Sequence, residues 1–221
     1  MDNQLVFFDA YRPATWLLEP KTITWTQIGD RSTTGDVLGW ALIDGDVYVV
    51  TAQRGHGLGE TPVEVLNTTT WEWNQVESIP AVMSVGGVTT DGQRLIVAGV
   101  RQDSYNNLVV GNREPVVYEY ADGVWSQLPD APIDGQASTI SWIDGAGLLA
   151  WNYDLESALL DAGEWEPTET VPLDLQECYP RGFDVESGVV GACGGLAFFD
   201  ANSRTWSPIA TSYEASYVVV D

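Results

Sequence analysis

Apolar residues along the chain fall in runs of about four to seven, rich in Val, Ile, Leu, Tyr and Trp, and Gly, Asp, Asn and Pro separate the runs. That is the grammar of short strands and turns, and no segment sustains a helical period. Three hairpins stand out, at residues 40–50, 85–99 and 140–150. Each turns on an Asp-Gly pair (Asp44-Gly45, Asp91-Gly92, Asp144-Gly145), which supplies the positive φ of a tight turn.

A longer pattern is laid over the alternation. An apolar pair, a turn, then a tryptophan occur five times, ending at Trp25, Trp73, Trp125, Trp165 and Trp206. The tryptophans are about 40 to 50 residues apart, the spacing of solenoids and propellers. Call the strands of one unit a, b, c and d, with the apolar pair on c and the tryptophan on d. Complete units then run at 37–76, 83–128, 137–168 and 181–209. The N-terminal part reads b (Leu5-Val6-Phe7-Phe8), c (Trp16-Leu17-Leu18) and d (residues 24–28), with no preceding a. Residues 216–220 form one further strand without a partner of its own. Radial four-stranded sheets protect their edges by closing a ring. The expectation is therefore an all-β fold: a β-propeller of five four-stranded antiparallel blades, one domain over 1–221, with the C-terminal strand completing the N-terminal blade. The competing reading is a piece of a longer propeller.

The phrase resembles the kelch repeat. Glu19-Pro20-Lys21-Thr22-Ile23-Thr24-Trp25 matches that family's turn before its tryptophan most closely, and residues 200–206 and 67–73 match more loosely. Gly194-Gly195 is the paired glycine in the family's position, and Ala98-Gly99 is a partial match. The resemblance spans the chain and implies a propeller architecture. It says little about activity, because kelch-like propellers include both binding scaffolds and galactose-oxidase-type enzymes.

Composition narrows the chemistry. With 32 acidic and 9 basic residues the formal net charge is −23, a field that repels nucleic acid and anionic membranes. No run of about 18 apolar residues offers a membrane helix, and the N-terminus lacks the basic start and apolar run of a signal peptide. A single histidine, His56, cannot build a two-histidine copper site or a zinc site, so the expectation is no metal and no cofactor. Cys178 and Cys193 flank a hairpin turning near residues 185–188, which predicts a cross-strand disulfide and an oxidising compartment, extracellular or periplasmic. Two separate buried thiols are the alternative.

In such blades the b–c and d–a connections share one face. The b–c connections here span residues 9–15, 53–60, 101–114 and 152–156, and loops on a rigid scaffold are where binding usually resides. Arg12, Arg54, Arg101 and Arg113 lie in them, Arg31 lies in a d–a connection, and Arg181 begins a strand at the same rim. Lys21, Arg94 and Arg204 belong to the opposite turns. The candidate binding residues are Tyr11, Arg12, Arg54, His56, Arg101, Tyr105, Asn106, Arg113, Tyr153 and Arg181. Rings beside amide and guanidinium donors suit sugars, carboxylates or a peptide loop. The plainer reading of the arginines is that they pair with the abundant carboxylates. No catalytic motif is present. The sequence thus predicts a non-catalytic propeller, monomeric, recognising a protein or glycan partner through the b–c/d–a face. A carbohydrate-active hydrolase or lyase using two rim carboxylates is the alternative, and a scaffold or truncated propeller without a ligand is a third reading.

Overall fold

The computed structural model describes residues 5–9, 12–33, 35–52, 61–101, 115–133, 137–173, 181–185, 187–192 and 195–210; of residues 137, 138, 181, 183, 184 and 210 it describes the backbone alone. Among the described residues all regular structure is strand, and no helix is long and apolar enough to cross a membrane. Blade one is β1 (Leu5–Phe8), β2 (Ala14–Glu19) and β3 (Thr24–Asp30). Blade two is β4 (Val37–Ile43), β5 (Asp46–Thr51), β6 (Val63–Asn67) and β7 (Glu72–Gln75). Blade three is β8 (Met83–Thr90), β9 (Leu95–Arg101), β10 (Pro115–Ala121) and β11 (Val124–Leu128). Blade four is β12 (Ala137–Ile143), β13 (Gly147–Asn152), β14 (Ser157–Asp161) and β15 (Glu164–Pro167). Blade five is β16 (Arg181–Val185), β17 (Gly188–Ala192), β18 (Leu196–Asp200) and β19 (Thr205–Ala210). Each sheet is an antiparallel meander in chain order. The units and the truncated first unit read from the sequence correspond to these sheets; residues 216–220 lie outside the described residues.

Turn chemistry sorts the c–d connections into two kinds. In blades three and four, Asp122-Gly123 and Ala162-Gly163 both have positive φ, the two-residue hairpin type. In blades one, two and five the turn is longer. There Ile23, Trp71 and Arg204, each two residues before the repeated tryptophan, adopt φ of 54°, 60° and 57°. Each donates its N–H at 2.8 Å to the carbonyl four residues back, at Glu19, Asn67 and Asp200.

The core lies between blades. Ile96, Ala98 and Val117 of blade three meet Ile140, Leu148 and Ala150 of blade four. Leu149, Trp151 and Leu159 of blade four meet Val189, Ala197 and Phe199 of blade five. The innermost strands pack in sequence, β4 on β8, β8 on β12 and β12 on β16. Glycine permits that approach: a Cβ on Gly39 would sit 2.4 Å from Val88 Cγ2, and one on Gly87 would sit 2.8 Å from the Ile140 nitrogen. In blades two, three and four the a–b ladder also slips by one residue near its rim end, at Val37/Gly39, Val85/Gly87 and Ala137/Thr139.

The repeated tryptophans stitch these seams. The indole N–H of Trp73 donates to Thr15 Oγ1 at 3.1 Å, that of Trp125 to the Glu77 carbonyl at 2.6 Å, and that of Trp165 to the Pro129 carbonyl at 2.7 Å. Trp206 donates to Ser157 Oγ at 3.1 Å. In every case the acceptor belongs to the preceding blade or to the connection leaving it. Trp25, in the first blade, is 45% exposed.

Candidate functional site

The b–c and d–a connections lie at one end of the blades, and blade one shows how that rim is held. Arg31, just after β3, is 2% exposed. Its Nη2 donates to the carbonyls of Asp9 and Arg12, both at 3.1 Å. The loop is closed further by Asp9 N–H to the Ala14 carbonyl and Arg12 N–H to Asp9 Oδ1, each at 3.2 Å. Arg31 is thus an internal strut under the β1–β2 connection, and the Arg12 side chain above it is exposed. Nε and Nη1 of Arg31 are buried without a hydrogen-bond partner. Burial lowers the pKa of Arg31, and the charges of Glu64 and Asp9 oppose that effect.

Glu64, on β6, is fully buried beside this strut. Its carboxylate accepts from Ser32 N and Oγ, both at 2.7 Å, from Thr33 N at 3.3 Å, and from Thr33 Oγ1. It therefore fastens the connection leaving blade one to the third strand of blade two. On the c–d ladders Leu18, Leu66, Tyr120, Leu160 and Phe199 each face the repeated tryptophan. Two residues earlier stand Trp16, Glu64, Tyr118, Ala158 and Ala197. A carboxylate at a position otherwise apolar or aromatic was the available signal, and reading the sequence by loops missed it.

Arg101 ends β9 and donates from Nη2 to the Tyr118 hydroxyl at 3.0 Å and to Gln127 Oε1 at 3.1 Å. Gln127 in turn donates to Asp130 Oδ1 at 3.0 Å. In blade four the b–c connection is a compact turn. Asn152, 1% exposed, accepts the N–H groups of Asp154 and Glu156 at 3.0 and 2.9 Å and donates to Glu156 Oε2 at 2.8 Å. Leu155 closes the turn at φ 64°, and Tyr153 is carried on it, 41% exposed.

Arg12, Arg101 and Tyr153 therefore share one end of the molecule, on blades one, three and four. Arg181 begins β16 opposite Ala192 at the same end, and only its backbone is described. Tyr11, Arg54, His56, Tyr105, Asn106 and Arg113 lie outside the described residues, as do Cys178 and Cys193. At the opposite end two arginines pair with carboxylates. Arg94 bonds Asp91 and Glu119, both at 2.6 Å, and lies over the Trp142 ring. Arg204 reaches back to Glu166 at 3.2 Å and to Asp161 of blade four. The hydrogen bonds of Arg31 and Arg101 described above end on neutral oxygens. The Asn67-Thr68-Thr69 sequon is part of a turn: Asn67 Oδ1 accepts the N–H groups of Thr69 and Thr70 at 3.0 and 2.8 Å.

The fold is similar to that of solved structures, including the following two. A chain of the nidogen/laminin complex superposes with a TM-score of 0.64 at 16% identity, covering 93% of this chain and 74% of that one. A structural-genomics protein of unknown function from Bacteroides thetaiotaomicron VPI-5482 superposes with a TM-score of 0.63 at 14% identity, covering 98% of this chain and 60% of that one. This chain is a β-propeller. At such identities the likeness carries the fold and no more. No protein-family model and no curated protein sequence matches the chain. The propeller spans about three-quarters and three-fifths of the two chains it resembles.

Proposed function

We propose that this propeller is a non-catalytic binding module that recognises a protein partner through its b–c/d–a face. The observation that carries the reading is the construction of that rim. A buried arginine, through its Nη2, and a buried asparagine hold two connections, and each connection presents an exposed side chain, Arg12 and Tyr153. Connections held in place lose little entropy on binding, and aromatic and guanidinium groups are the side chains that dominate protein interfaces. One of the similar structures is itself a complex of two proteins, nidogen and laminin, which supports a binding role. The candidates Tyr11, Arg54, His56, Tyr105, Asn106, Arg113 and Arg181 extend the proposed face. A kelch-type repeat, a monomeric state and an extracellular or periplasmic location belong to the same proposal. The kelch subtype draws support from the c–d turn shared by blades one, two and five.

A glycan ligand and a rim-carboxylate hydrolase are separated from this reading by one set of measurements. The chain is screened against immobilised secreted proteins, a glycan array and polysaccharide substrates. The triple variant Arg12→Ala, Arg101→Ala, Tyr153→Ala is compared with Arg94→Ala on the opposite end. Capture of a protein that weakens at least about tenfold in the triple variant alone is expected. Undiminished capture overturns the site, and polysaccharide turnover overturns the non-catalytic reading.

A further inference from the structure

The four seams between consecutive blades each carry one matching pair of side chains. The first member comes from strand b of the earlier blade, at Val6, Tyr48, Ile96 and Leu149. The second is the strand-c residue of the next blade that faces the repeated tryptophan, at Leu66, Tyr120, Leu160 and Phe199. Val6 with Leu66, Ile96 with Leu160 and Leu149 with Phe199 lie together in the apolar core. At the seam of blades two and three both members are phenols. The rings of Tyr48 and Tyr120 are 6.3 Å apart between centres and inclined at 52°, within the contact range of two aromatic side chains.

Tyr120 is held from within its own blade, where the Trp125 ring lies 5.0 Å from it at 44°. Both tyrosines are half-buried. Among the described residues neither hydroxyl has a hydrogen-bond partner, whereas the neighbouring Tyr118 is 5% exposed and its hydroxyl accepts from Arg101. Burial raises the pKa of both phenols. Tyr120 and the carboxylates of Asp46 and Asp44 raise Tyr48 further, and Glu77 raises Tyr120 further. Both are therefore neutral phenols at neutral pH. Two phenols in contact have a chemistry that the apolar pairs at the other seams lack, the loss of a hydrogen atom from each followed by coupling of ring to ring.

We propose that Tyr48 and Tyr120 are a modification site, a dityrosine crosslink that locks blade two to blade three when the chain meets a peroxide-driven one-electron oxidant. The oxidant removes one electron from each phenol, and each phenolic proton passes to water. The two phenoxyl radicals join through a carbon–carbon bond between ring positions ortho to their oxygens. The hydrogen on each joined carbon then moves to the oxygen and restores both phenols. The protein loses two hydrogens in total, and one hydrogen peroxide becomes two waters. The rings are inclined rather than stacked, so rotation about the side-chain bonds can bring the ortho carbons together. The new bond closes a long loop in the unfolded chain and so favours the folded state. This inference is independent of what the rim binds.

Treatment of the dilute full-length chain with a peroxidase and hydrogen peroxide tests it. A monomeric product lighter by two hydrogens is expected, with dityrosine fluorescence and a proteolytic fragment that joins the segments of Tyr48 and Tyr120. Tyr48→Phe and Tyr120→Phe each remove only a hydroxyl without a partner among the described residues, so both variants should fold and both should lose that product. The crosslinked monomer should unfold at a higher urea concentration than the untreated chain. No crosslink, a crosslink that survives either substitution, or one that joins other tyrosines or two chains instead overturns the site. An unchanged urea midpoint overturns its role as a lock.

Discussion

Trp206 and Ser157 are joined across the seam of blades four and five by an indole N–H to hydroxyl bond of 3.1 Å. Ser157 holds the ladder position that Thr15 holds in blade one, and Thr15 accepts from Trp73 at the same distance. Ser157 Oγ is also 2.8 Å from the Glu169 carbonyl and 2.5 Å from Thr168 Oγ1, so one 3%-exposed hydroxyl ties three segments together. Removing it leaves a buried indole donor unpaired. Ser157→Ala is expected to lower stability by about 1–3 kcal/mol in urea unfolding, and Thr15→Val by a smaller amount.

Glu64 and Arg31 are opposite charges buried beside one another, Glu64 bonded by the loop it holds and Arg31 bonded through Nη2 alone. Removing one leaves the other uncompensated. Glu64→Ala is expected to cost about 3 kcal/mol or more, and Arg31→Met a comparable amount. A double-mutant cycle in denaturant checks the coupling: the double variant should be less destabilised than the two single losses added together.

Ile23 is a β-branched residue at φ 54° with 79% of its surface exposed. Its side chain gains little from burial there, and its backbone conformation is costly for an L residue with a branched Cβ. Ile23→Gly is expected to raise stability by about 1 kcal/mol, read as a higher thermal midpoint. Arg204 has similar φ but bridges to blade four, so Arg204→Gly should not show the gain.

Asp91 gives a pH dependence of known sign. Burial pushes its carboxyl up, but the N–H groups of Gln93 and Arg94 and the Arg94 guanidinium outweigh that and hold it below its ordinary value. A carboxylate depressed in the folded state adds stability above its unfolded pKa and loses it as pH falls through the folded one. The stability lost below about pH 4 should therefore shrink in Asp91→Asn, measured by unfolding at stepped pH.

The blades were legible because period-two patterning and Asp-Gly turns are local signals, and the tryptophan repeat fixed their phase. Trp25, Trp73 and Trp165 also show the limit of that reading. Trp25 is 45% exposed, whereas Trp73 and Trp165 lie partly buried against the inter-blade core, each anchored by one N–H. Their acceptors are backbone carbonyls or hydroxyls about a blade away, and no local pattern marks them. Arg31 was read as a rim residue with its fellow arginines. Only its 2% exposure and its two carbonyl acceptors reveal a strut. No local pattern marks the glycines at 39 and 87, which permit the contact of inner strands far apart in sequence.

The tryptophan bonds have a direction. Trp73, Trp125, Trp165 and Trp206 each reach an acceptor 58, 48, 36 and 49 residues nearer the N-terminus. During synthesis the acceptor has always left the ribosome before its donor. At these four seams each new blade can seal onto a surface already made.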